Sequence, residues 1–151
     1  MRAVIQRVNR ASVGIDGVVL GSISRGLLVL VGATHGDSEI DARAVAEKIA
    51  GLRIFSDEEG LMNLSVTDIS GEVMVISQFT VYGAVSRGRR PSFTAAAAPG
   101  VAEPLIEMVA TSLESNGLAV SRGRFGAKME VALLNDGPVT ILVETVGGRF
   151  V

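Results

Sequence analysis

Two apolar, β-branched runs near the C-terminus, Met129 to Leu134 and Val139 to Val143, are separated by Asn135-Asp136-Gly137-Pro138. A plain hairpin would favour Asn-Gly or Asp-Gly followed by a residue with a free N–H. Here the glycine is followed by proline, which removes a donor and restricts φ. An X–Pro bond is also the one peptide bond whose cis form costs only about 0.5–1 kcal/mol. The segment therefore reads as a shaped backbone device between two strands. A tight turn that happens to carry a proline fits the same spacing.

The rest of the chain alternates short strand signals with two helical ones. Met1 to Val8 reads as a strand. Ala11 to Ile15 and Val18 to Ile23 flank Asp16-Gly17, a two-residue hairpin signal. Leu27 to Val31 is a continuous apolar run between Gly26 and Gly32, as in a buried strand. A helix opens at Ser38, capped by Asp37 or Ser38, with Ile40, Ala44, Val45, Ile49 and Leu52 at helical spacing. Arg53 to Phe55 is extended, and Ser56 to Gly60 is a polar turn. Val73 to Thr80 reads as a strand. Val101 to Asn116 predicts a second helix, with Leu105, Ile106, Val109 and Leu113 on one face and Gly117 as its stop. Leu118 to Ser121, Met129 to Leu134 and Val139 to Thr145 complete the strands. Ala95 to Ala98, before Pro99, favours a helical turn. This is not the regular βαβα alternation of a doubly wound fold. The expectation is an α+β fold: a mainly antiparallel sheet with two helices packed on it.

Composition narrows the function classes. At 151 residues, 48% apolar and 20% charged, the chain suits a single globular domain spanning 1–151. No apolar run is long enough to cross a bilayer as a helix. Gln6 and Arg7 interrupt the N-terminal apolar stretch, so no signal peptide is read there. The chain has no cysteine, so a disulfide framework and thiolate chemistry are both excluded. A cytoplasmic setting is the simplest expectation. Net charge is −2, which does not predict bulk nucleic-acid binding. The basic residues are nevertheless uneven: Arg87, Arg89 and Arg90 form one cluster, and Arg122 and Arg124 another. Such clusters are either solvated loops or local phosphate contacts near one site.

The single histidine, His35, gives neither a His/Cys metal site nor, without recruitment into a triad, a Ser-His-Asp centre. No phosphate-cradling glycine motif occurs. No metal and no cofactor are therefore expected. The remaining polar concentration is Ser77-Gln78-Phe79-Thr80, at the end of an apolar strand. A threonine hydroxyl without a base is a weak nucleophile, whereas strand-end N–H groups can receive an oxyanion unaided. Serine and threonine also simply satisfy backbone groups at strand ends.

Taken together, Ser77-Gln78-Phe79-Thr80 and Asn135-Asp136-Gly137-Pro138-Val139-Thr140 resemble the two signature motifs of the bacterial and eukaryotic D-aminoacyl-tRNA deacylases. The likeness runs along the whole chain. It includes Met1 to Val8, Gly26 to Gly32, Leu52-Arg53-Ile54-Phe55, Tyr82-Gly83, Gly88-Arg89-Arg90-Pro91-Ser92-Phe93, and Phe125-Gly126-Ala127 with Met129. Ala84-Val85-Ser86 departs from it, because the family more often carries polar or charged residues such as Asp-Thr there.

The resemblance implies a three-layer α/β/β fold and a homodimer. It implies hydrolysis of the ester joining a D-amino acid, or glycine mischarged on tRNA(Ala), to the tRNA 3′ end. It assigns Gly137 and Pro138, joined by a cis bond, to a chiral filter inserted into the other subunit's pocket, with Arg7 tethering that motif. Ser77, Gln78, Phe79 and Thr80 become the catalytic wall. Phe125 and Met129 become walls for the terminal adenosine, and Arg87, Arg89 and Arg90 become candidate tRNA contacts. Catalysis through the tRNA's own 2′-hydroxyl is the first mechanism this suggests, and a covalent Thr80 nucleophile is the second. A non-catalytic dimeric module that holds RNA ends, and an esterase or amidase on small D-amino acid derivatives, are the rival functions.

Overall fold

The computed structural model describes residues 1–151. Its elements in chain order are β1 (Arg2–Ile15), β2 (Val18–Ile23), β3 (Gly26–Gly32), α1 (Glu39–Gly51), β4 (Phe55–Ser56), β5 (Met62–Leu64), β6 (Glu72–Ser77), a 3-10 turn (Phe79–Tyr82), α2 (Pro99–Ser115), β7 (Ala119–Arg122), β8 (Glu130–Val146) and β9 (Arg149–Phe150). The main sheet runs β7-β6-β3-β1-β8-β9, with β2 also paired to β1. Pairings of β1 with β2, β3 and β8 are antiparallel. The β3–β6 and β6–β7 pairs are parallel. The α+β expectation holds with one addition. Each parallel pair needs a crossover, and α1 and α2 supply one each.

The sheet is covered on both faces, which is why β3 reads as an unbroken apolar run. Leu27, Val29 and Val31 face the helices and meet Val45, Ile49, Val109 and Leu113. Leu28 points the other way, into a smaller core with Met74, Ile76, Val13 and Ile23. The second core exists because β1 and β8 each serve two layers. Residues 2–8 of β1 pair with β3, while residues 11–15 pair with β2. The outer halves of β1 and β8 fold over with β2, which gives the helix, sheet and sheet layering. Each fully buried Leu or Val side chain contributes about 1.5–3 kcal/mol of transfer free energy.

Several elements differ from the sequence reading, each for a local reason. The hairpin signal at Asp16-Gly17 is correct, and both residues take positive φ (50° and 80°). However, Met1–Val8 and Ala11–Ile15 are parts of one strand. The two C-terminal runs likewise form one strand, β8, that continues through Gly137 and Pro138. In α1 the buried face is Ala42, Val45, Ala46 and Ile49, while Ile40 is 65% exposed and Leu52 lies past the last turn. The expected cap is shared differently. Ser38 is the N-cap, and its N–H and hydroxyl both donate to the Asp41 carboxylate (3.0 and 3.1 Å). Asp37 instead accepts the Thr34 N–H. Burial alone would raise the Asp41 pKa, but the N–H donors of Gly148 and Ser38 hold it below its usual value.

Helix α2 begins at Pro99, two residues earlier than expected, since proline suits a first helical position. Its predicted face is fully buried, and Gly117 follows at φ 82°. Ala95–Ala98 is not a helical turn. Ala96 bridges Thr34, and the Ala97 N–H donates to Ala33, so tertiary pairing overrides alanine's propensity. No helix is long and apolar enough to cross a membrane.

Candidate active site

Strand β6 delivers the first motif. Leu28 and Met74 are register partners, as are Val31 and Ser77, and the Gln78 N–H then donates to the Val31 carbonyl (2.8 Å). The strand ends at Ser77 rather than at Thr80, because the chain tightens into the 3-10 turn Phe79–Tyr82. The Val81 N–H closes onto the Gln78 carbonyl, and the Gly83 N–H onto that of Thr80. Phe79 and Thr80 open this turn, where i→i−3 bonding offers their N–H groups no carbonyl inside it. Gly32 makes the close approach possible. A Cβ there would lie 2.7 Å from the Gln78 carbonyl oxygen and 2.7 Å from Val81.

The turn is held from below by Arg2. Its guanidinium takes the Glu144 carboxylate through Nε and Nη2 and donates Nη1 to the Val81 carbonyl (2.7 Å). It also lies 4.7 Å from the centroid of the Tyr82 ring. Burial pushes the Tyr82 hydroxyl well above its ordinary pKa, and nearby Asp37 and Glu144 add to the effect. The only tyrosine thus stays protonated and is no base for the site. Replacing Arg2 by alanine removes charge-assisted bonds worth about 1.5–3 kcal/mol. At roughly 2–4 °C per kcal/mol for a chain of this size, the melting temperature should fall by about 3–12 °C. An unchanged thermal transition would show that Arg2 does not anchor the turn.

Beside the turn lies a cavity of about 660 Å³, lined mainly by apolar residues. Ser77, Gln78 and Phe79 form one side, and Phe125 and Met129 another. Thus five of the residues singled out in the sequence converge, although they are separated by more than 40 positions. Thr80 does not line the cavity. Its hydroxyl accepts a hydrogen bond from Gln78 Nε2 (2.5 Å), an amide that cannot take a proton. The third side, missed in the sequence, is the segment Phe93–Pro99. Phe93 packs edge-on against Phe79 with centroids 5.1 Å apart. His35 is exposed, with a ring nitrogen 3.0 Å from the Thr94 carbonyl, so it braces this segment and faces no nucleophile.

The second motif lies elsewhere on the protomer. Between the pairs Gln6↔Thr140 and Val8↔Asn135, β1 advances two residues and β8 five. Residues 136–139 therefore bulge out opposite Arg7, and the Gly137–Pro138 peptide bond is cis. Arg7 is 8% exposed; Nε donates to the Asp136 carbonyl (3.1 Å), and Nη1 donates to the Ile54 carbonyl. Nε also lies 3.1 Å from the Asp136 carboxylate. Asn135 closes the bulge from inside. Its Oδ1 accepts the Val139 N–H (2.9 Å), and its Nδ2 donates to the Val139 carbonyl (3.3 Å). The sequence reading did not single out Asn135 by itself, although an Asx residue opening a turn is a recognisable signal. Gly137 and Pro138 are exposed and line neither this cavity nor the one that adjoins it in their own protomer.

Arg87, Arg89 and Arg90 sit in an exposed loop closed by the Ala84–Ser92 bridge, and they too line neither cavity. No group of three or more His, Cys, Asp or Glu side chains is placed to hold a metal ion.

Comparison with known proteins places the chain in a family. Residues 4–144 match the family described as D-Tyr-tRNA(Tyr) deacylase. A D-aminoacyl-tRNA deacylase of Heliobacterium modesticaldum is 58% identical over 149 residues, covering 99% of both chains. One of Roseiflexus castenholzii is 58% identical over 145 residues, 96% of this chain and 92% of that one. Among solved structures, a protein titled c-Myc DNA Unwinding Element Binding Protein superposes with a TM-score of 0.90 at 38% identity, covering 97% of this chain and 99% of that one. A probable eukaryotic D-amino acid tRNA deacylase shares the fold, with a TM-score of 0.77 at 18% identity over 93% of this chain and 97% of the other. On the match over residues 4–144 and the identity to these relatives over nearly the whole chain, the chain belongs to the D-aminoacyl-tRNA deacylase family.

Proposed function

We propose that this protein hydrolyses the ester of D-aminoacyl-tRNA, and of glycyl-tRNA, as a cytoplasmic homodimer of single-domain subunits. The observation that carries this reading is the division of the two motifs. Ser77, Gln78 and Phe79 wall a cavity with Phe125 and Met129, while Gly137 and Pro138 stand exposed in the bulge and do not line that cavity. One copy therefore offers a pocket and a projecting motif that do not meet within it. A second copy can unite them. Gly137 and Pro138 of the partner subunit then present carbonyl oxygens to the substrate's α-amino group. The ammonium donates to both, and its position dictates which way the Cα substituent points.

The chemistry at the ester needs few side chains. The Phe79 and Thr80 N–H groups, at the start of the 3-10 turn, are suited to receive the oxyanion of a tetrahedral intermediate. Phe125 and Met129 hold the terminal adenosine, and the tRNA 2′-hydroxyl next to the ester is the positioned reactive group. The Arg87, Arg89 and Arg90 loop takes phosphates further along the strand. Thr80 is a poor nucleophile here, because its hydroxyl is engaged by an amide and not by a base.

Two experiments test this. Purified protein is incubated with D-tyrosyl-tRNA, L-tyrosyl-tRNA and a D-tyrosine ethyl ester. Cleavage of the first alone is expected. Cleavage of the ester at a comparable rate would favour a small-molecule esterase, and no cleavage would favour a non-catalytic RNA module. In the second, Thr80→Ala should retain deacylase activity within about tenfold, whereas loss of a covalent nucleophile would raise the barrier by several kcal/mol, a factor above about 1,000. Trapping an aminoacyl ester on Thr80 would overturn the RNA-assisted mechanism.

A further inference from the structure

A second cavity, of about 460 Å³, adjoins the first, and Ser77, Ile106 and Phe125 wall both. Its size lies within the range of small-ligand sites, about 300–1,000 Å³. Unlike the first it is charged. Glu103 and Glu107 come from α2, and Arg122 and Arg124 from the end of β7 and the turn after it. These charges are not equivalent. Arg122 is fully engaged: its Nε lies 3.0 Å from the Glu107 carboxylate, and Nη1 and Nη2 take Glu114 at 2.7 and 2.8 Å. One guanidinium shared by two carboxylates leaves that cluster with a net negative charge and no guanidinium nitrogen free for a ligand. Arg124 and Glu103 remain, both exposed and both without an ion-pair partner. The Arg124 backbone is nonetheless rigid. Its N–H points at Met129 Sδ (3.3 Å), and a Cβ on the preceding Gly123 would lie 2.6 Å from that sulfur.

The arrangement is one free guanidinium, one free carboxylate and a shared aromatic wall, next to the cavity read as the adenosine site. Single-stranded nucleic acid is bound by stacking bases on aromatic faces and by cations on the backbone. A guanidinium suits a phosphodiester. A carboxylate repels a phosphate but accepts from an exocyclic amine, as glutamate does from cytosine N4. The nucleotide that precedes the terminal adenosine of a tRNA is a cytidine. We propose that the second cavity binds this penultimate nucleotide, with Arg124 on the phosphodiester that joins it to the adenosine and Glu103 on the cytosine amine. This rests on the reading of the first cavity as the adenosine site. It gives a task to the second basic cluster of the sequence.

The test compares two substrates, D-tyrosyl-tRNA and 3′-O-D-tyrosyl-adenosine, which lacks the phosphodiester and the cytidine. Arg124→Ala should lower the ratio of kcat/KM for tRNA over nucleoside by about tenfold, and Arg124→Lys should recover part of it. The log–log dependence of KM on salt for tRNA should flatten by about 0.7, the value for one lost single-strand phosphate contact. Replacing the penultimate cytidine by uridine should slow the wild type, and Glu103→Gln should narrow that difference. An Arg124→Ala ratio equal to the wild type's would overturn the subsite while leaving the first cavity's reading intact. A wild type inert on D-tyrosyl-tRNA would overturn both.

Discussion

Gly137→Ala is expected to lower kcat/KM on D-tyrosyl-tRNA by about 100-fold, the scale of loss that follows a displacement of roughly 1 Å at a positioning group. The cause is local. Gly137 has φ 132°, a region L side chains rarely adopt. A Cβ there would lie 2.7 Å from the Val139 side chain, 3.0 Å from the Val139 backbone nitrogen and 3.1 Å from Arg7 Nη2. None of these groups can yield easily. Val139 is buried and its N–H is held by Asn135, while Arg7 is held by two carbonyls. The bulge must therefore shift, and the carbonyls proposed to hold the α-ammonium shift with it. Strain of about 1–3 kcal/mol should lower the melting temperature by only about 2–12 °C, so the fold survives. Gly17→Ala is the control. It shares a positive φ (80°), but its added Cβ would meet nothing within 4 Å. Its activity should stay at the wild-type level. Equal activity of Gly137→Ala and wild type, with L-rejection intact, would remove the bulge from the mechanism.

That bulge also shows how far the sequence could be read. Gly137-Pro138 announces a constrained backbone, and the apolar runs on either side announce strands. What they cannot announce is register. Alternation along one strand does not say which residue of β1 lies opposite, so neither the four-residue excursion nor its buried anchor Arg7 follows from the pattern. The resemblance to a known family supplied Arg7, and the residues alone did not. Helix α2 was legible because Leu105, Ile106, Val109 and Leu113 repeat at helical spacing and all are buried. Helix α1 was legible in extent but only partly in face: Val45 and Ile49 are buried, whereas Ile40 is not. Ile40 extends the apolar period on paper, yet it lies beside Gly148 in the C-terminal turn, while small Ala42 and Ala46 are buried in the main core.

The candidate site divides in the same way. Ser77, Gln78, Phe79, Phe125 and Met129 carry side chains that suggest chemistry, and they do converge. The wall built from Ala96, Ala97 and Ala98 carries none. It is placed by the Ala97 N–H on the Ala33 carbonyl, a long-range bond with no local signature. Arg2 was hidden for a similar reason. Its partners, Glu144 and the Val81 carbonyl, are more than 75 residues away in sequence. Alanine methyl groups and main-chain atoms thus shape one side of this cavity, and that side depends on tertiary packing, whereas the walls of Phe79, Phe125, Met129 and the polar residues were visible in the sequence.

A site whose selectivity resides in main-chain carbonyls should treat glycine as a substrate. In the proposed dimer, glycine would offer its α-ammonium to the partner's Gly137 and the partner's Pro138 just as a D-amino acid would. Its second α-hydrogen is too small to reach the wall that an L side chain would strike. Glycyl-tRNA should therefore be cleaved at a rate comparable to D-alanyl-tRNA, and L-alanyl-tRNA at least about 100-fold more slowly. Glycine and L-alanine differ by one methyl group, so the comparison isolates the steric wall. Positive recognition of a methyl group in a pocket yields only about 1–3 kcal/mol, roughly 10- to 200-fold, and in the opposite sense for glycine. Exclusion has no such ceiling, because the rejected substrate must displace a bulge anchored by Arg7 and Asn135. The measurement is single-turnover deacylation of glycyl-, D-alanyl- and L-alanyl-tRNA on one tRNA body. If glycine behaved like L-alanine and only D-alanine were cleaved, the wall would give way to a side-chain pocket. The largely apolar cavity beside Phe79 and Phe93 would then be the place to look for it.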